Sequence, residues 1–227
     1  MLTVPGLCWL CRMPLMLSHW GICSVCEKAI TPQRGCCPQC GLSASSLFLP
    51  CGRCLRRPPP WQALVAVCPY IPPVSRLVHQ FKFSRRSQLA QPLARLLLLA
   101  ILRARRTRAL PPVEMIVSVP LWSRRHWRRG FNQSDLLCRP LAHWLKCDYN
   151  PAALRRTRPT ATQHQLSARL RKQNLKQAFQ LEFPVAGRHI AIVDDVVTTG
   201  TTVAELSRLL LRSGAASVQV WCLCRTL

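Results

Sequence analysis

Two of the chain's eight acids stand side by side, Asp194 and Asp195, directly after the apolar run Ile190–Val193. A Thr/Gly loop follows at once: Thr198, Thr199, Gly200, Thr201 and Thr202. Loop N–H groups, threonine hydroxyls and the start of a helix suit a phosphate. The paired carboxylates suit the two cis hydroxyls of a ribose, or a magnesium ion held through water. The bland alternative is an Asp-rich turn with Thr capping. A chain with so few acids has little reason to spend two of them on one turn.

A second chemistry lies at the N-terminus. Fourteen cysteines occur, nine of them between Cys8 and Cys54. They fall into four CxxC pairs: Cys8/Cys11, Cys23/Cys26, Cys37/Cys40 and Cys51/Cys54. This spacing lets a tight turn aim two thiolates at one tetrahedral ion, and two such knuckles make a closed four-cysteine zinc site. The expected reading is a double zinc ribbon with two structural zinc ions and no open position for hydrolysis. A redox dithiol array is the competitor, but its usual strand–helix setting is missing. Cys36 adjoins Cys37, and either suits as ligand. Sequential and interleaved pairing use the same residues. Cys68, Cys138, Cys147, Cys222 and Cys224 sit in apolar contexts and read as buried small hydrophobes.

A third feature is charge. Lys+Arg number 32 against 8 Asp+Glu, a formal +24. Such a surface expects a polyanion. The densest stretch interleaves arginines with rings: Trp122, Arg124, Arg125, Trp127, Arg128, Arg129 and Phe131. Guanidinium groups that follow phosphates while rings stack on bases suit single-stranded nucleic acid. The same arginines can grip pyrophosphate, or form a solvated loop whose Trp rings pack on the core. A further basic run, Leu154 to Phe179, carries no acid. It reads as a loop at Arg158–Gln163 and a cationic helix from Leu166 to Leu175.

These residues need a scaffold, and the pattern supplies one. With 49% hydrophobic residues a packed core is available. No basic n-region precedes an apolar run at the N-terminus, and the stretch Leu93 to Leu102 is too short to span a bilayer, so a cytoplasmic protein without a membrane span is expected. Arg56-Arg57-Pro58-Pro59-Pro60 reads as a stiff linker, dividing the chain into 1–57 and 58–227. Beyond it, strands are expected at Ala63–Tyr70, Glu114–Val119, Arg188–Val193 and Ser217–Cys224. Helices are expected at Ser75–Phe83, Gln88–Leu102, Gln133–Leu145 and Thr202–Arg212. This alternation means an α/β fold, a parallel sheet flanked by helices, with its ligand beyond the carboxyl ends of the strands.

The run Val193 to Thr202 resembles the phosphoribosyl-pyrophosphate (PRPP) loop of type I phosphoribosyltransferases. With the double zinc ribbon and Arg129-Gly130-Phe131-Asn132-Gln133, essentially the whole chain resembles the ComF/GntX family, associated with natural competence and the use of external DNA. The resemblance implies a type I phosphoribosyltransferase-like domain behind the ribbons. It implies that Asp194 and Asp195 hold ribose hydroxyls and Thr198 to Thr202 the 5′-phosphate of PRPP, with magnesium. Ser118, Val119 and Pro120 match the short pyrophosphate loop. Phe81-Lys82-Phe83 matches the lysine-aromatic stretch, although Ser84-Arg85 stands where the family usually has a glycine. The implied partners are single-stranded DNA, PRPP or a related phosphorylated ribose, and a DNA-translocating helicase of the uptake machinery. The favoured expectation is a DNA-utilisation protein. The alternative is an active phosphoribosyltransferase that passes ribose phosphate to a nitrogen base. A third reading is a zinc-ribbon regulator that keeps the fold for ligand sensing.

Overall fold

A computed structural model describes residues 6–31, 35–46, 48–83, 86–121, 131–157 and 178–226. Its centre is a five-stranded parallel sheet of β1 (Ala63–Pro69), β2 (Met115–Ser118), β3 (Asp148–Tyr149), β6 (His189–Val197) and β7 (Ser217–Arg225), in the order β1-β7-β6-β2-β3. The two central strands read as continuous apolar runs because helices cover both faces. From Ile190 to Val193, and from Val218 to Cys224, every residue is buried.

One face packs against α3 (Val74–Phe83), α4 (Ala90–Arg108) and α5 (Gln133–Leu145), with Phe81, Leu97, Ile101, Leu137 and Trp221 at the centre of that cluster. The other face takes α6 (Thr201–Arg212) through Val203, Leu206 and Leu210. A small antiparallel ribbon, β4 (Leu154–Arg156) with β5 (Phe179–Leu181), adds Leu154 and Phe179 there.

The strands and helices expected within the described residues form, with two informative extensions. Helix α4 runs six residues past Leu102, because Ala104 still packs inward while Arg103, Arg105, Arg106 and Arg108 extend its basic side. Strand β6 runs to Val197, four residues past the apolar run, so Asp194 and Asp195 lie within its second half and not in the loop beyond it. Both stay in the ladder because β7 continues alongside, pairing Asp194 with Cys222 and Val197 with Arg225. The short β3, β4 and β5 carry no periodicity that marks them in advance. Cys68, Cys138, Cys222 and Cys224 are buried and Cys147 partly so.

The cysteine-rich segment includes α1 (Ser24–Ile30) and α2 (Gly52–Arg56). It is not a tethered bead. Cys8, Leu15 and Ile22 belong to the same apolar cluster as α4. Arg95 of α4 donates to the Ile22 carbonyl at 3.3 Å, and Arg103 pairs with Glu27 at 2.9 Å. Among the described residues, no helix is long and apolar enough to cross a membrane.

Candidate functional site

The carboxyl ends of β2 and β6, the last turn of α3 and the start of α5 meet at one place. Lys82 Nζ lies 2.9 Å from Asp195 Oδ1, and Asp195 is only 8% exposed. Asp194 Oδ1 accepts from the Asp195 N–H at 2.8 Å and from Ser134 Oγ at 3.5 Å. Burial, and then the neighbouring Asp195 charge, pushes the Asp194 carboxyl up to about 7, against the opposing pull of Lys82. The pair is thus a one-cation, two-acid cluster whose second negative charge is held at a cost.

Ser118, Val119 and Pro120 are buried beside this cluster. The Val119 N–H donates to Val193 O at 3.1 Å, and the Ser118 hydroxyl accepts from Tyr149 at 3.4 Å. On the other side, Gly200 opens α6 with φ +79°, a left-handed conformation that glycine adopts without strain. Glycine brings no capping side chain to the first turn. Thr199 and Thr201 share a hydroxyl contact of 2.8 Å, and Thr198 and Thr199 are exposed. The Thr201 N–H donates to Thr199 Oγ1 at 3.4 Å, and exposed hydroxyls at a helix start make a surface suited to phosphate.

The residues around Asn132 act as fixings, a role the motif alone does not disclose. Asn132 caps α5 by accepting from the Ser134 N–H at 3.1 Å and donates to Val119 O, also at 3.1 Å. Gln133, 1% exposed, donates to the Lys82 carbonyl at 3.3 Å. Phe131 is partly buried, its ring 6.4 Å from that of Phe81. Asp135 accepts from Tyr149 and pairs with Arg139. One tetrapeptide therefore sets the relative positions of β2, α3 and β6.

Sequence reasoning also missed Arg225. This last residue of β7 is 7% exposed. Its Nη1 donates to the carbonyls of Val197 (3.0 Å), Thr198 and Thr226 (2.9 Å), and its Nε to Cys40 O (2.9 Å). Trp61 is the second strut. Its indole N–H donates to Gln39 O at 2.6 Å, and its ring lies where a side chain at Gly200 would reach, 3.3 Å from an added Cβ.

The cysteines form two quartets: Cys8, Cys11, Cys23, Cys26, and Cys37, Cys40, Cys51, Cys54. Pairing is sequential, and Cys37 rather than Cys36 joins the second. In each quartet the four Sγ atoms lie within 4.8 Å of one another. The Cys11–Cys23 and Cys40–Cys51 sulfur pairs are 3.7 Å apart. A tetrahedral ion with metal–sulfur bonds of about 2.3 Å sets its sulfurs about 3.8 Å apart, so the residues fit such an ion. Backbone N–H groups of Cys23 and Cys51 point at Cys8 and Cys37 Sγ, at 3.4 and 3.3 Å. Burial opposes ionisation of Cys8, but N–H groups of Cys11, Cys23 and Leu10 outweigh it and hold the thiol at about 6. The Cys54 N–H leads in lowering Cys51 to about 7. One thiol of each quartet is thus held near neutral pH or below it, whereas burial pushes Cys26, Cys40 and Cys54 up.

Trp122, Arg124, Arg125, Trp127, Arg128 and Arg129 lie outside the described residues, as do 158–177 with the expected loop and cationic helix.

Comparison with known proteins matches this architecture. A family model described as a phosphoribosyl transferase domain fits residues 140–227, which include β6, the threonine loop and α6. Over all 227 residues, and over the whole of the relative, the chain is 70% identical to the DNA utilization protein YhgH of Escherichia coli (strain K12). It is 43% identical to Competence protein F of Haemophilus influenzae, over 96% of each chain. A match at 70% identity that spans the whole chain shows that the chain belongs to the ComF/GntX family, cysteine ribbons followed by a phosphoribosyltransferase-like domain.

Proposed function

We propose that this protein serves the use of external DNA, from a cytoplasmic position, by binding single-stranded DNA together with a phosphorylated ribose ligand such as PRPP. The observation that carries the DNA half is full-length identity to relatives named for DNA utilisation and competence. The charge of +24 and the Trp122–Phe131 stretch support it, since arginines can follow a strand's phosphates while rings stack on its bases. What supports the ligand half is the cluster of Asp194, Asp195 and Lys82, with the glycine-led, threonine-rich start of α6 following in the chain. In this reading the carboxylates accept from the ribose hydroxyls, the loop from Thr198 to Thr202 takes the 5′-phosphate, and Ser118 to Pro120 flank the pyrophosphate. Magnesium would neutralise ligand phosphates, and zinc would occupy the quartets as structural ions.

The test is a paired titration of purified, metal-loaded protein with fluorescent oligothymidine and with PRPP plus magnesium. DNA affinity should fall with salt at a log–log slope of about −0.7 per phosphate contact. Replacing Arg124, Arg125, Arg128 and Arg129 together by Ala should flatten that slope by up to about 3. Asp194→Asn with Asp195→Asn should abolish PRPP binding and spare DNA. Absence of DNA binding, or of PRPP binding, removes the corresponding half. A second reading, phosphoribosyl transfer to a nitrogen base, is favoured by the retention of both acids, and release of pyrophosphate from PRPP with a panel of bases tests it.

A further inference from the structure

The second cysteine quartet is joined to the phosphate-loop region by more than proximity. Three consecutive carbonyls of its first knuckle each accept a hydrogen bond from the α/β domain: Pro38 from the Leu64 N–H at 2.9 Å, Gln39 from Trp61 at 2.6 Å, and Cys40 from Arg225 at 2.9 Å. The two side chains among these donors also reach the loop, Arg225 through the Val197 and Thr198 carbonyls and Trp61 by filling the space that a side chain at Gly200 would need, 3.3 Å from an added Cβ. The knuckle is pressed home at Gly41, whose φ is +71° and where an added Cβ would lie 2.5 Å from Leu64 Cδ2. Arg225 is a buried cation. Among the described residues no carboxylate pairs with it. A divalent ion held by four thiolates carries a net charge of −2, and Cys40 supplies both a thiolate and a carbonyl to the same neighbourhood.

We propose that the metal-loaded second quartet is the counter-charge and scaffold for Arg225, and that Arg225 with Trp61 holds the start of the phosphate loop in its binding shape. Occupancy of this centre then sets affinity at the loop, some distance from any thiolate. Among the described residues no hydrogen bond joins the first quartet to the loop; the bonds beside it, at Ile22 and Glu27, run to α4. The proposal rests on the reading of the loop as a phosphate site, but its structural part can be tested without a ligand.

Amide hydrogen exchange of residues 197–201 should accelerate at least about tenfold when Cys51→Ser empties the second centre, and stay near wild type when Cys11→Ser empties the first. Arg225→Lys, which keeps the charge and loses the planar fork, should retain both metals and still loosen the segment. PRPP affinity should fall at least about tenfold in Cys51→Ser and Arg225→Lys. Unchanged exchange in Cys51→Ser, or equal acceleration in Cys11→Ser, overturns the coupling. If wild type binds no PRPP while the exchange pattern appears, the ligand reading fails and the coupling stands.

An independent observation supports a second site. Trp20, Trp144, Arg95, Lys146, His19 and His143 line a cavity of about 540 Å³ between the first ribbon, α4 and α5. Its lining holds no acid, and the Arg95 guanidinium lies 4.4 Å above the Trp20 ring. The volume falls within the roughly 300–1,000 Å³ of small-ligand sites. It is too small for a duplex. We infer that it takes one unpaired nucleotide, its base against a tryptophan and its phosphate near Lys146, as a contact for the DNA strand of the proposed function. With labelled oligothymidine, Trp20→Ala or Lys146→Glu should weaken binding at least about fivefold, with Trp20→Phe close to wild type. Thymidine monophosphate should compete only weakly if the ligand is a strand, and as well as the strand if it is a free nucleotide. Wild-type affinity in both Trp20→Ala and Lys146→Glu overturns the site. If wild type binds no oligothymidine but binds the monophosphate, the strand reading fails and the nucleotide site survives.

Discussion

Asp194→Asn isolates the electrostatic cost at the acid pair. The wild-type carboxyl titrates at about 7, raised from 3.8, because burial and Asp195 oppose its ionised form. Below 3.8 the group is protonated in the folded and unfolded chain alike. Between 3.8 and about 7 only the folded chain holds the proton, so this group's contribution to stability is lost as pH rises through that window and levels off above it. Carried through the linkage relation, wild type loses at most about 2 kcal/mol between about pH 5.5 and about pH 8 from this source. Sharing of the charge with Asp195 and Lys82 brings that nearer to about 1 kcal/mol. Asparagine keeps an Oδ1 that accepts from both the Asp195 N–H and Ser134 Oγ, and it does not ionise. The variant should therefore gain on wild type as pH rises. Urea unfolding of both reduced, metal-loaded chains at the two pH values measures this. Titration of the cysteine quartets is common to both chains and cancels in the difference. A variant-minus-wild-type difference that stays constant with pH, or that shrinks at high pH, would refute the reasoning.

Cys37→Ser should release one of two metal ions per chain, whereas Cys36→Ser should release none; metal analysis of anaerobically purified protein decides between the two thiols. Gly41→Ala places a Cβ 2.5 Å from Leu64 Cδ2 at φ +71° and should cost about 1–3 kcal/mol, seen as a lower denaturant midpoint. Gln133→Leu removes the donor to the Lys82 carbonyl and should weaken PRPP binding, by calorimetry, more than it weakens DNA binding.

Much of this was legible in the sequence because it is local. The four CxxC pairs lie within one stretch of chain, so their spacing alone supplies ligands. Sequence could not choose between Cys36 and Cys37, or between sequential and interleaved pairing. Those depend on which sulfurs the turns bring within 4.8 Å. The strand Ala63–Pro69 is apolar throughout and Ser217–Arg225 is apolar from Val220 to Cys224, and burial on both faces leaves that mark. Strand β6 was expected to stop at Val193, since acids break an apolar pattern. It continues because Lys82 partners one acid and Ser134 the other, and neither partner is near in sequence.

The least legible residue, Arg225, shows why. At the end of an apolar strand in a chain of 32 basic residues, it reads as one more surface cation. Its role arises from three separations at once: 28 positions to Val197, 27 to Thr198 and 185 to Cys40. The family model covers 140–227 and so contains the acids, the loop and Arg225, yet not the knuckle that accepts from Arg225 Nε. The acids need only β6 and its neighbours to be in place. The loop's first carbonyls are tied to a guanidinium that is itself tied to the ribbon. A likeness to phosphoribosyltransferases therefore accounts for where the acids stand but not for what shapes the loop after them, and that shape is tied to the ribbon as well as to the sheet.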